Sequence, residues 1–209
     1  MSQPTARAEP VSVWKVGGSL LTLPDLRQRL QRAMKAVGPA RPLIVVGGGP
    51  TADLVRHWDR IHGLGEERAH WLALESLGLN EHLLAEMMPE TCLVETRSDA
   101  ERVWVAGLRP ILHAVAFVRA EEPHTSIPLP HCWDVTSDSV AAWIAALWPA
   151  DELVLVKSTA WPDGISVQEG ADRGLVDPWF PRIASKGPLL RWINLRDNPT
   201  HTVALTASG

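Results

Sequence analysis

Short apolar runs and helix-spaced apolar positions alternate along this chain, with glycines between them. Val11–Val16 reads as a buried strand and is followed by Gly17, Gly18 and Ser19. Over residues 24–37, Leu26, Leu30, Ala33, Met34 and Val37 recur at helical spacing. Pro24 suits the first turn of that helix and Gly38 its end. A second apolar run at 43–46 closes on Gly47, Gly48 and Gly49, and Pro50 and Thr51 open a helix to about Ile61. Strand, glycine turn and helix thus occur twice in 60 residues. That alternation predicts an α/β fold with a mostly parallel sheet covered by helices.

The stretch 66–88 reads as one long helix, with a break near Gly78. Residues 103–105 and 111–118 are apolar and read as strands, 121–130 is a proline-rich loop, and 137–148 is a helix with Asp138 near its start. Another buried strand, 153–156, ends at Lys157. Residues 158–188 read as loops with short elements, and 189–195 and 202–206 as the last strands. The 209 residues suit one domain, 11–209, after a polar, disordered N-terminus at 1–10.

Composition narrows the function classes. A net charge of −4 gives no reason to expect nucleic acid or an anionic membrane as partner. Neither Cys92 nor Cys132 sits in a C-x-x-C pair, which argues against a disulfide framework or a structural zinc site and suits a reducing cytoplasm. No apolar run is long enough for a signal peptide or a membrane span. The basic residues are 16 Arg but only four Lys. Two of those lysines, Lys15 and Lys157, fall at a glycine turn and a strand end, where a compact ammonium suits an anion.

Four constellations carry candidate chemistry. Lys15 with Gly17, Gly18 and Ser19, and separately Gly47, Gly48 and Gly49, set glycine turns at the ends of successive strands, where backbone N–H groups can hold a phosphate. The plain alternative is a pair of tight turns. Asp134, Thr136, Ser137 and Asp138 crowd the start of a helix, more polar groups than one cap needs. Lys157, Ser158 and Thr159, with Asp163 and Gly164 after them, end a buried strand on the edge where open sheets bind ligands. Neither a Walker A loop nor a G-x-G-x-x-G fingerprint is present, so a Rossmann oxidoreductase is remote.

In this order the motifs resemble the amino acid kinase family over roughly residues 11–198. The resemblance implies a three-layer α/β/α sandwich, with the phosphate acceptor over an N-terminal half (about 11–130) and the nucleotide over a C-terminal half (131–209). It implies an ATP-dependent small-molecule kinase using Mg²⁺, with no protein-held metal. Lys15 would stabilise the transferring phosphoryl group, and the two glycine turns would hold its oxygens. Asp138 would orient the lysines, and Asp134, Thr136, Ser137, Lys157, Ser158, Thr159, Asp163 and Gly164 would meet the nucleotide. Many members carry a second, late catalytic lysine; here the matching position is nearer Arg182, with Lys186 four residues on.

The segments 129–139 and 176–180 are similar to a compact subgroup of one-carbon metabolism that phosphorylates aminomethylfuran methyl phosphate to the diphosphate. UMP, an acyl carboxylate and an isoprenoid phosphate stand as alternative acceptors, and a non-catalytic nucleotide- or oxyanion-binding protein as a different class. Acceptor contacts are expected from Thr51, Asp53 and the helix holding His70, Glu75, Asn80 and His82, with His70 and His82 themselves at the surface or an interface. Trp14, Trp104, Trp133 and Trp192 read as core. Trp58, Trp71 and Trp143 are placed at a homo-oligomer interface.

Overall fold

The computed structural model describes residues 9–38 and 40–206; the N-terminal segment 1–8 lies outside the described residues. The elements run β1 (Val11–Val16), a 3-10 turn (Gly18–Thr22), α1 (Leu26–Val37), β2 (Arg41–Val46), α2 (Pro50–His62) and α3 (Glu66–Met87). After them come β3 (Thr91–Val94), α4 (Arg97–Val105), β4 (Arg109–Leu112), α5 (Ala114–Glu121), α6 (Ser137–Leu147) and β5 (Glu152–Lys157). The chain closes with α7 (Val167–Asp172), α8 (Phe180–Ala184), β6 (Leu189–Asn194) and β7 (Val203–Leu205).

The strands form one seven-stranded sheet in the order β3-β4-β2-β1-β5-β6-β7. All pairs are parallel except β6–β7. The parallel centre is buried on both faces, which is why β1 is buried at every position. Alternate residues feed two cores. Val13, Leu43, Val45, Leu153 and Leu155 pack with α6, α5 and α8, while Trp14, Val16, Ile44, Val46, Val154 and Val156 pack with α1. The result is the expected three-layer α/β/α sandwich.

Several local expectations are corrected. Residues 103–105 end helix α4, which begins at a capping box of Thr96 and Asp99. The run 111–118 divides into the end of β4 and helix α5 at His113. β3 was not predicted; only one of its four residues is buried, so it lacks the apolar signal of a central strand. Helix α3 is unbroken at Gly78, where a side chain would crowd the His113 ring at 3.3 Å. Trp143, expected at an interface, is fully buried and donates Nε1–H to the Ile127 carbonyl at 2.6 Å. Trp104 and Trp133, expected in the core, are only partly buried.

Candidate active site

Strand parity sets the centre of the site. Lys15 shares its face of β1 with Val11 and Val13, and Lys157 its face of β5 with Leu153 and Leu155. β1 and β5 are paired neighbours. Both lysines therefore emerge at the C-terminal ends of adjacent strands, on the face that α6 covers. Asp138, in the first turn of α6, meets them: Lys15 Nζ lies 2.8 Å from Oδ1, and Lys157 Nζ donates to Oδ2 at 2.7 Å. Lys157 also donates to the Leu175 carbonyl at 2.9 Å.

Lys15 and Asp138 are each only 4% exposed. Burial pushes the Asp138 carboxyl up, but the two ammonium groups outweigh it and hold it at about 2. For Lys15, burial lowers the pKa; the attraction of Asp138 opposes this, and repulsion from Lys157 adds to it. Asp138 is thus ionised throughout the neutral range, and the trio carries a net single positive charge when both lysines are protonated.

The two glycine turns touch. A Cβ on Gly18 would stand 2.4 Å from the Gly49 nitrogen, 2.5 Å from the Gly47 oxygen and 2.6 Å from the Gly48 carbonyl carbon. Gly49 adopts φ 52°, a conformation that favours glycine, at the start of α2. The amides of Gly17 and Gly47 are taken by the Val156 and Val16 carbonyls at 2.9 and 2.8 Å. Among the described residues, the amides of Gly18, Ser19, Gly48 and Gly49 have no partner. Four donors beside the Lys15–Asp138 pair make an anion cradle.

Two braces not foreseen as such hold this arrangement. Asn80 of α3, expected to meet the acceptor, is buried and donates to the Gly47 and Gly48 carbonyls at 2.8 and 2.7 Å. Thr51 does not face ligand space either; its hydroxyl donates to the Gly48 carbonyl at 2.8 Å. Asp177, buried, accepts from the Thr136 N–H and hydroxyl (3.0 and 2.8 Å), the Ser139 N–H (3.0 Å) and the Phe180 N–H (2.9 Å). It ties the start of α6 to the start of α8 and so fixes Asp138. The Val176–Asp177–Pro178 run was visible in the sequence as part of a resemblance; its bracing role depends on contacts about 40 residues away.

A cavity of ≈ 540 Å³ opens over this centre. Lys15, Gly17, Gly18, Ser19, Gly48, Gly49, Asp53, Thr136, Ser137, Asp138, Lys157, Ser158 and Thr159 all line it, as the sequence grouped them. Gly47 sits behind, against Ser137 and Lys15. Asp134 is exposed outside it. Asp163 and Gly164 line a separate hollow beside β7. Arg182 is not among the lining residues; its guanidinium stacks over Trp179 at 4.4 Å, and Lys186 is exposed beyond α8. Arg173, between α7 and Gly174, lines the cavity and was missed. No residue spacing marked it, because α7 is six residues in a loop-rich stretch.

The far end of the cavity is walled by Ala52, Ala73, Leu74, Leu77, Val135 and Trp133. Asp53 and Arg56 pair at 2.8 Å, and the Arg56 guanidinium lies 4.9 Å over the Trp133 ring. His70, expected at the surface, is 4% exposed and lines this end. Burial, with repulsion from His131, lowers its pKa to about 4. Glu75 and His82 are exposed and do not line the cavity.

The loop carrying Trp133 is latched by His131. Its Nδ1 reaches Glu67 of α3 at 2.7 Å and its Nε2 reaches Glu122 at 3.0 Å, while its ring stacks on His70. An ionised carboxylate only accepts, so both contacts are hydrogen bonds when both ring nitrogens carry protons, as in the imidazolium. Burial lowers its pKa, but the two carboxylates outweigh this and raise it. Among the described residues, no group of three His, Cys, Asp or Glu is placed to hold a metal ion, and no helix is long and apolar enough to cross a membrane.

The amino acid kinase family model matches residues 10–160. Uridylate kinase from Archaeoglobus fulgidus is 19% identical over 90% of this chain and 91% of that one, with a TM-score of 0.59. UMP kinase from Ureaplasma parvum is 13% identical over 92% of each chain, TM-score 0.63. Aspartate kinase from Synechocystis is 16% identical over 94% of this chain and 40% of that one, TM-score 0.62. At these identities the likeness is one of fold. No curated protein matches the sequence.

Proposed function

The chain belongs to the amino acid kinase family, and on that premise we propose that it is an ATP-dependent phosphotransferase acting on a small molecule. The observation that carries this reading is the contact between the two glycine turns, with four unpartnered amides beside Lys15. Phosphoryl transfer asks for in-line positioning and charge compensation rather than covalent chemistry. The γ-phosphoryl oxygens fit the amides of Gly18, Ser19, Gly48 and Gly49, and Lys15 offsets the charge that develops as the bond to ADP breaks and the bond to the acceptor oxygen forms. Asp138 holds both ammonium groups in position and takes no proton.

The nucleotide fits the end lined by Thr136, Ser137, Lys157, Ser158 and Thr159. Mg²⁺ would enter on the ATP phosphates, supplying further charge neutralisation there. The acceptor fits the opposite end, which supports the division into an N-terminal acceptor half and a C-terminal nucleotide half. That end joins an apolar, aromatic wall to one carboxylate, Asp53, and one guanidinium, Arg56. Such a lining suits a small flat acceptor bearing a phosphate and an amine, and aminomethylfuran methyl phosphate is the acceptor we propose. A second copy of the chain fits the exposed Leu54, Trp58 and Ile61 on α2, and a cytoplasmic setting fits two unpaired cysteines.

The test is transfer of labelled γ-phosphate from Mg·ATP to a panel of aminomethylfuran methyl phosphate, UMP, isopentenyl phosphate and carbamate. Product is expected with the aminomethylfuran, and the variant Lys15→Ala should lose roughly a hundredfold or more in turnover. Transfer to another member of the panel would move the acceptor assignment. No transfer to any, with tight ATP binding, would favour a non-catalytic binder.

A further inference from the structure

Four cations line the cavity: Lys15, Arg56, Lys157 and Arg173. Three are already matched. Lys15 and Lys157 share Asp138, and Arg56 pairs with Asp53. Arg173 is exposed and has no ion pair or side-chain hydrogen bond among the described residues. Glu169, whose carboxyl feels the charge of Arg173, is occupied in the capping box of α7, accepting from the Ser166 N–H at 2.8 Å and the Ser166 hydroxyl at 3.0 Å.

The backbone that carries Arg173 is tied to the reacting centre. Gly174 follows it at φ 72°, and the carbonyl of Leu175, one residue on, accepts from Lys157 Nζ at 2.9 Å. Two residues beyond Leu175, Asp177 anchors the start of α6. The stretch 173–177 therefore links one unmatched guanidinium to Lys157 and to the start of α6, which carries Asp138. A nucleoside triphosphate brings about four negative charges, of which the trio offsets little.

We infer that Arg173 is a catalytic residue that binds the transferring phosphoryl group, in the role for which the family resemblance pointed to Arg182 or Lys186. This rests on the phosphotransfer reading above. A guanidinium offers a planar fork of donors to phosphate oxygens, and it keeps its charge beside two lysines.

The experiment is calorimetric titration of Mg·ATP and Mg·ADP into the wild-type chain, Arg173→Ala and Arg173→Lys, with melting temperatures alongside. Because the side chain makes no ion pair or hydrogen bond among the described residues, R173A should melt with the wild type. The expected result is a loss of about tenfold or more in ATP affinity for R173A, with ADP affinity within about threefold of wild type, the size of one charge-assisted contact. R173K, which keeps the charge, should recover part of that loss. If R173A binds ATP like the wild type, or loses ATP and ADP equally, Arg173 does not meet the transferring group, while ATP binding by the wild type leaves the kinase reading standing. If the wild type binds neither nucleotide, the kinase reading itself falls, and this inference with it.

Discussion

Asp138 holds two ammonium groups on one buried carboxylate, and the same contacts that prepare the site also stabilise the fold. A buried charge without partners is costly, and removing one member of such a set leaves the others uncompensated. Asp138→Asn should therefore lower stability by about 3–5 kcal/mol at neutral pH and reduce turnover more than ATP affinity. The sign with pH follows from the depressed carboxyl: its stabilisation is full above the unfolded value near pH 4 and is lost as pH falls through about 2. Urea unfolding of both proteins at pH 7 and pH 2.5 checks this, with the gap between them expected to shrink at the lower pH. An equal gap at both would mean that Asp138 does not act as a charge partner. Lys15 and Asp138 were legible from the sequence because each ends or begins an element of clear pattern. Asp177 was not, since what marks it is a set of contacts across the fold, and neither was Arg173, which is marked only by its place in the cavity lining.

At the scale of elements, the helices and strands with a single strong period were readable: β1, α1, α2, α6 and β5 lie within a few residues of expectation. Those misread are short and apolar on more than one side. Residues 111–118 hold an apolar run with no alternation, and only His113, where β4 gives way to α5, divides it. The loop before α6 is a different case. It gave no signal of order, yet His131 fastens it between Glu67 on α3 and Glu122. The groups facing His131 are these two carboxylates, His70 and the Trp71 ring. Its pKa is raised in the fold, so its stabilisation is full below the unfolded value near 6.5 and is lost as pH rises through the folded one. His70, held near 4, works oppositely and penalises folding as pH falls from about 6.5 to 4. Melting curves of the wild type and His131→Gln should differ most near pH 6 and converge at higher pH. A gap that widens with pH would contradict the imidazolium latch.

Over the whole molecule, function follows from strand order. β1 lies between β2 and β5, so the two glycine turns and Lys157 arise on three neighbouring strands at one edge. The repeated strand–turn–helix pattern made a parallel sheet legible, and the motif order pointed to its family. It did not reveal that the turns touch, nor which of their amides remain open, because both depend on the register that joins Val16 to Val46 and Val156. The proposed acceptor end was hardest to read: His70, Arg56 and Trp133 come from three segments with no shared motif.

The sharpest check is a crystal structure of the chain with Mg²⁺ and a non-hydrolysable ATP analogue. The γ-phosphoryl group should lie within hydrogen-bond distance of the Gly18 and Gly49 amides and of Lys15 Nζ, with the base toward Thr159. A nucleotide seated elsewhere, or one whose phosphates leave both glycine turns untouched, would contradict the assignment.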